Sequence, residues 1–139
     1  MIKAVIDTNI LVSALLTPSG NPAKVLGHVL NGNITMCLDS RIIAEYQEVL
    51  QRPKFGFEWK AVRQVVDFIV HTGISIVPEP IFGAFEDEDD QKFYEVARSA
   101  KAYLVTGSIK HFPGEPIVVS PQEFLGIMES SGYGVKREP

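Results

Sequence analysis

Short β-branched runs alternate with longer stretches of helical spacing along almost the whole chain. That alternation calls for a parallel sheet covered by helices, because parallel strands need long crossovers and helices supply them. Residues 2–6 (Ile-Lys-Ala-Val-Ile) form the first run and stop at Asp7, after which the pattern turns helical from Asn9 up to Pro18. The turn-rich segment 17–22 follows, and Pro22 opens a second helix that reaches Leu30 and closes at Asn31-Gly32. Ile34 to Leu38 reads as the second strand. A third helix starts after Asp39 or Ser40, with Ile42, Ile43, Tyr46, Val49 and Leu50 on one apolar face, and Pro53 ends it. Val62, Val65, Val66, Ile69 and Val70 recur at helical spacing within 58–71, with Gly73 suited to the C-terminal cap, and Ile74 to Val77 is the third strand.

After the connector 78–80, the acidic run Glu86-Asp87-Glu88-Asp89-Asp90 leads into a helical pattern of Phe93, Val96, Ala97 and Ala100. Tyr103 to Thr106 and Ile117 to Val119 are the last strands, and Ser120-Pro121-Gln122-Glu123 is a capping box that starts a final helix. The expected fold is α/β: a three-layer α/β/α sandwich around a mainly parallel sheet of roughly five strands. One domain is expected over residues 1–130, with a loose tail at 131–139.

Ligands of such sheets sit at the carboxyl ends of the strands. Asp7 and the Thr106-Gly107-Ser108 turn both fall there. Asp7 also precedes a helix, whose N–H groups favour an anion, while Thr8 or Asn9 is able to cap that helix in its place. On the helical wheel Glu45 borders the core-facing stripe, where a carboxylate needs a partner. Asp89 and Asp90 project to the side of Phe93 and Ala97, and Asp87 does not; the wheel does not choose between the two, and a run of acids at a helix N-terminus is also a common solvated arrangement.

Asp and Glu outnumber Lys and Arg by 17 to 13, which is not the basic footprint of a sequence-specific DNA reader. The sign of the local field reverses, however, if clustered acids bind divalent cations. A single cysteine, Cys37, excludes an intrachain disulfide and is expected to be a buried small hydrophobe. Asp7 and Asn9 interrupt the apolar N-terminal stretch, and no other segment is long enough to span a membrane, so a cytoplasmic protein is expected. There is no histidine pair, cysteine pair or Gly-x-x-x-x-Gly-Lys run to support zinc hydrolysis or P-loop nucleotide binding.

VIDTNILVSALL at the start, Glu45 in mid-chain and EDEDDQKFYEVARSAKAYLVTGSIKHFP near the end together resemble the PIN-domain (PilT N-terminus) nucleases, in particular the bacterial PIN proteins classed as toxin components. The resemblance covers nearly the whole chain. Counting back 16 residues from Thr106 selects Asp90 as the family's helix-borne acid. It implies that Asp7, Glu45 and Asp90 hold Mg²⁺ or Mn²⁺, with Thr106 and Ser108 assisting in catalysis. Many PIN domains carry a fourth aspartate where this chain has Ser108, a departure that bears on metal affinity.

The resemblance further implies a metal-dependent endoribonuclease cutting single-stranded RNA, an antitoxin partner and a homodimer. Two carboxylates about 5 Å apart at an effective dielectric near 20 repel by roughly 3 kcal/mol, so such a cluster favours a cation between them. Lys110 and His111 are candidates to approach a phosphate from the rim, with Lys3, Lys24, Arg41 and Arg52 farther away. Two other readings compete. A PIN-like module that lost its fourth acid to Ser108 would bind RNA or protein without cutting. A phosphotransferase using Asp7 as nucleophile would need an acid two residues on, where Asn9 stands.

Overall fold

The computed structural model describes residues 1–83, 85 and 87–133. Strand β1 (Ile2–Ile6) leads into α1 (Thr8–Leu16), and α2 (Asn21–Leu30) returns to β2 (Ile34–Leu38). Next come α3 (Ser40–Leu50), a 3-10 turn at Pro53–Phe55, α4 (Trp59–Thr72) and β3 (Ile74–Ser75). Helix α5 (Glu88–Ala100), β4 (Tyr103–Val105), β5 (Val118–Val119) and α6 (Pro121–Ser130) complete the order.

All strand pairs are parallel and the sheet order is β3-β2-β1-β4-β5, so the chain winds one way from β1 to β3 and then crosses back to β4. The reversal falls between β1 and β4, where Ile6 pairs with Val105. In a doubly wound sheet that crevice, just beyond the carboxyl ends of the two strands, is where ligands bind. Asp7 and Thr106 are the next residues of those two strands, and the Asp7 N–H donates to the Val105 carbonyl at 2.9 Å.

The β-branched and small residues of β1, Ala4, Val5 and Ile6, are fully buried, as are Leu104 and Val105 of β4, which is the pattern of strands covered on both faces. Helix α5 lies against β1, β2 and β4, while α2 and α4 lie against β2 and α6 against α2. The three-layer α/β/α arrangement expected from the alternation is present.

Boundaries differ from the sequence reading in ways that have local causes. Helix α2 begins one residue early, at Asn21, with Gly20 as cap and Pro22 inside the first turn. Strand β3 is Ile74–Ser75 rather than 74–77, although the Ile76 N–H still reaches the Leu38 carbonyl at 2.8 Å. Pro78 and Pro80, which lack N–H donors, follow directly. Just beyond α6, the Tyr133 N–H donates to the Met128 carbonyl at 2.9 Å and Tyr133 packs on the core. Residues 134–139 lie outside the described residues, as does Glu86 of the acidic run.

Gly73 caps α4, as expected, with ordinary backbone angles, φ −79° and ψ 171°, so no left-handed conformation requires a glycine there. Space decides it instead. A β-carbon there would stand 2.7 Å from the Ile69 carbonyl oxygen and 2.8 Å from Leu38 Cδ1, where α4 turns down onto β2. Gly73→Ala is therefore expected to cost about 2 kcal/mol through overpacking. Thermal melts should show it as a fall in Tm of several degrees.

Candidate active site

Three elements bring carboxylates to the crevice beyond β1 and β4. Asp7 stands at the N-terminus of α1 yet makes no side-chain capping hydrogen bond to it. Its Oδ2 instead accepts from the Thr106 hydroxyl at 2.8 Å, and Thr106 Oγ1 accepts in turn from the Ser108 N–H at 3.0 Å. Thr106 is fully buried and Asp7 nearly so. The turn after β4 thus orients the carboxylate after β1 through one hydroxyl. Ser108 contributes its backbone N–H to this chain.

Helix α3 runs across the same edge of the sheet. Tyr46 is fully buried, and its hydroxyl donates to the Ile6 carbonyl, the last of β1. One residue before it, Glu45 accepts a hydrogen bond from the Thr8 hydroxyl on Oε2 and pairs through Oε1 with Lys92 Nζ at 2.7 Å. The wheel placed Glu45 on the border of the core, and its side chain is 23% exposed.

In α5, Asp87 is the cap, accepting from the Asp89 N–H at 2.9 Å, and Asp89 faces solvent. Asp90 is the acid turned inward, its side chain 16% exposed and its Oδ2 3.5 Å from His111 Nδ1. The wheel had put Asp89 on the inner side with Asp90. The start of α5 is solvent-facing on the Asp89 side, so only Asp90 points into the crevice.

Electrostatics tie these residues together. Burial pushes the Asp7 carboxyl above its ordinary value and the charge of Glu45 pushes it the same way, against the Thr106 hydroxyl and the N–H groups of Thr8 and Asn9. Burial likewise raises Asp90, reinforced by Asp7 and Asp87 and opposed by His111 and Lys92. Asp7 therefore feels Glu45, and Asp90 feels Asp7. The donors are carboxylate and hydroxyl oxygens, the set that suits a hard divalent cation and not a soft one. Among the described residues, no three His, Cys, Asp or Glu side chains stand close enough to form a finished metal cage. Lys92 holds one of the three carboxylates instead.

Two participants, Thr8 and Lys92, escaped the sequence reading as functional residues. No local pattern of the sequence marks Lys92, whose carboxylate partner Glu45 lies on α3. Of the cations named from sequence, His111 alone pairs with an acid of the crevice. Lys3 donates to the Ala100 carbonyl at 2.6 Å, Arg41 pairs with Asp39 and Glu95, and Arg52 pairs with Glu48. Lys24 borders a cavity of about 690 Å³ between α2 and α6. Long side chains find the nearest carboxylate or helix end, and spacing in sequence does not reveal which.

Comparison with known proteins bears on the family and the fold. A family profile described as "PIN domain" matches residues 3–110. The uncharacterized protein MJ1680 of Methanocaldococcus jannaschii is 34% identical over 112 residues, covering 76% of this chain and 70% of its own. Among solved structures, VapBC2 from Rickettsia felis, bound to a DNA fragment from its promoter, superposes with a TM-score of 0.54 at 21% identity, covering 86% of this chain and 97% of that one. VapBC-1 from nontypeable Haemophilus influenzae gives 0.51 at 16% identity, over 80% and 90% respectively.

Proposed function

Because the chain belongs to the PIN-domain family, we propose that it is a metal-dependent endoribonuclease that hydrolyses phosphodiester bonds of single-stranded RNA, with Asp7, Glu45 and Asp90 as the residues that hold Mg²⁺ or Mn²⁺. The observation that supports this reading is Asp7 at the sheet's switch point, held by the Thr106 hydroxyl after β4, with Glu45 of α3 acting on its charge and Asp90 of α5 feeling it in turn. When bound there, a hard divalent cation would lower the pKa of a water and offset charge on the scissile phosphate. Thr106 holds the Asp7 carboxylate in place, and the Ser108 N–H holds Thr106. Lys110 offers positive charge to an incoming phosphate at the rim, next to His111, which stands beside Asp90. A toxin role with an antitoxin partner, a homodimer and a cytoplasmic location follow as part of the same proposal. The VapBC likeness in fold supports the toxin role and its antitoxin partner. Among the described residues no helix is long and apolar enough to cross a membrane.

The test is incubation of purified protein with single-stranded RNA in Mn²⁺, Mg²⁺ or chelator, followed by analysis of product ends. Metal-dependent cuts without 2′,3′-cyclic phosphate are expected, because water and not the RNA 2′-hydroxyl is the nucleophile. Cyclic ends, or cutting in chelator, would reject the mechanism.

The one observation that favours a binding module is Ser108 in place of a fourth acid. Its φ of −122° is an extended value that any residue adopts, so an aspartate fits there without backbone strain. Ser108→Asp is expected to tighten Mn²⁺ binding and raise cleavage at subsaturating metal by about threefold or more. Unchanged or lower cleavage would mean that the missing acid is not what limits the site.

A further inference from the structure

Glu45 enters the crevice with both carboxylate oxygens already engaged by this chain, Oε1 by Lys92 at 2.7 Å and Oε2 by the Thr8 hydroxyl. Lys92 is itself buried, at 9% exposure. Its ammonium also donates to the Asp89 carbonyl at 2.6 Å and stands 5.0 Å from the Phe93 ring centre. Lysines are almost never buried unless paired, and an exposed lysine–glutamate pair would be worth little. Here the side chains are only 11% and 23% exposed, and a second acceptor fixes the ammonium.

What the pair sets is the charge of the crevice. Asp7, Glu45 and Asp90 carry three negative charges when ionised, and Lys92 takes away one, leaving two. Two negative charges match one divalent cation. Ser108, standing where many PIN domains have a fourth acid, adds none.

We propose that Lys92 is the resident cation of the acidic crevice: a positioning residue that fixes Glu45 and neutralises one of its three carboxylates, so that the site takes one divalent ion and not two. This rests on the reading of the crevice as a metal site. It explains why an otherwise solvent-seeking ammonium is held against Glu45 and the Asp89 carbonyl.

The experiment is Mn²⁺ binding to the full chain, followed by calorimetry and by the free-Mn²⁺ spin-resonance signal. Wild type, Lys92→Met, Lys92→Arg, Glu45→Gln and the Glu45→Gln/Lys92→Met double variant are compared. Wild type and Lys92→Arg are expected to bind one ion. Lys92→Met, with three uncompensated carboxylates, should bind Mn²⁺ about tenfold tighter or take a second ion. The double variant, again at two negative charges, should return to within about threefold of wild type. If Lys92→Met does not fold, the double variant should still bind about tenfold tighter than Glu45→Gln.

Affinity and stoichiometry that do not respond to removal of Lys92 in either background would overturn the proposal and reduce Lys92 to a structural tether. Two ions on the wild type, or none on any of the five proteins, would also overturn it. A wild type that shows the expected binding pattern but cuts no RNA would sink the nuclease reading and leave this inference standing.

Discussion

Asp7→Asn is expected to reduce metal-dependent RNA cleavage by at least about a thousandfold, the effect of several kcal/mol of lost charge stabilisation at the reacting phosphate. The same substitution should leave the metal-free protein folded and raise its Tm at neutral pH. The reason is the direction of the shift: burial, joined by the charge of Glu45, raises the Asp7 carboxyl above its ordinary value. An ionised Asp7 is thus less comfortable in the folded chain than in the unfolded one. Its relative stability is full at pH below the ordinary carboxylate value and is lost as pH rises through the raised value in the fold. Asparagine removes that loss while keeping an oxygen for the Thr106 hydroxyl. Asp90 is raised as well, so with chelator present the contribution of these two carboxyls to wild-type stability should fall as pH rises from the ordinary carboxylate value through their raised values, and Asp7→Asn should lose less over that span. Thermal melts across that pH range, with chelator present, check the sign. A variant that melts lower than wild type at neutral pH would show that Asp7 serves the fold rather than the site.

Glu95→Ala is expected to be the costliest single truncation among the charged residues, at about 3 kcal/mol. Glu95 is 2% exposed. It accepts from Arg41 Nη1 at 2.9 Å, from the Ile81 N–H at 2.7 Å and from Gln91 Nε2 at 3.1 Å. Burial alone would raise its carboxyl, but these hydrogen bonds hold it below the ordinary value. Gln91 Nε2 also donates to the Ile81 carbonyl, so Glu95 and Gln91 together clasp the backbone that leads from β3 toward Asp87 and Asp90. Truncation leaves the Ile81 N–H without its carboxylate and frees that approach to α5. A fall in Tm of about 10 °C is expected for a domain of this size. Glu95→Gln, which keeps an acceptor for the Ile81 N–H, should lose less than half of that. Equal losses in the two variants would assign the effect to charge alone and contradict the clasp.

The alternation of strands and helices was legible from residue type, and so was the position of Asp7, because a β-branched run that ends at an acid before a helical pattern leaves little choice of geometry. The capping box at Ser120 and Glu123 is present as written, with the Ser120 N–H donating to Glu123 Oε1 at 2.9 Å and the Glu123 N–H to Ser120 Oγ at 3.0 Å. Glu45 was visible only as a residue at the border of an apolar stripe. Asp90 needed the likeness to a family, since the wheel left Asp89 equal to it.

Lys92 and Glu95 were not legible for one shared reason. Helical periodicity assigns charges to the water side, yet α5 buries Lys92, Phe93, Tyr94, Glu95, Val96 and Ala97 in succession. A helix pressed between the sheet and α3 has little water side there, and its charges are satisfied by Glu45 and Arg41 from α3. Those partners are 47 and 54 residues away in sequence, beyond any local pattern. Gly73 was legible as a helix end, but the crowding that excludes a side chain there comes from Ile69 of its own helix and from Leu38 and Met36 on β2.

The most direct measurement of the central claim is a metal-started time course of single-stranded RNA cleavage by wild type, Asp89→Asn and Asp90→Asn at matched concentration. The two substitutions change neighbouring acids of one helix by the same atoms, but only Asp90 is turned into the crevice beside His111. Cleavage by wild type and Asp89→Asn at similar rates after Mn²⁺ addition, with a loss of about two orders of magnitude or more in Asp90→Asn, is the predicted result. Equal traces from all three proteins, or none from wild type, would contradict it and leave a PIN fold that binds without cutting.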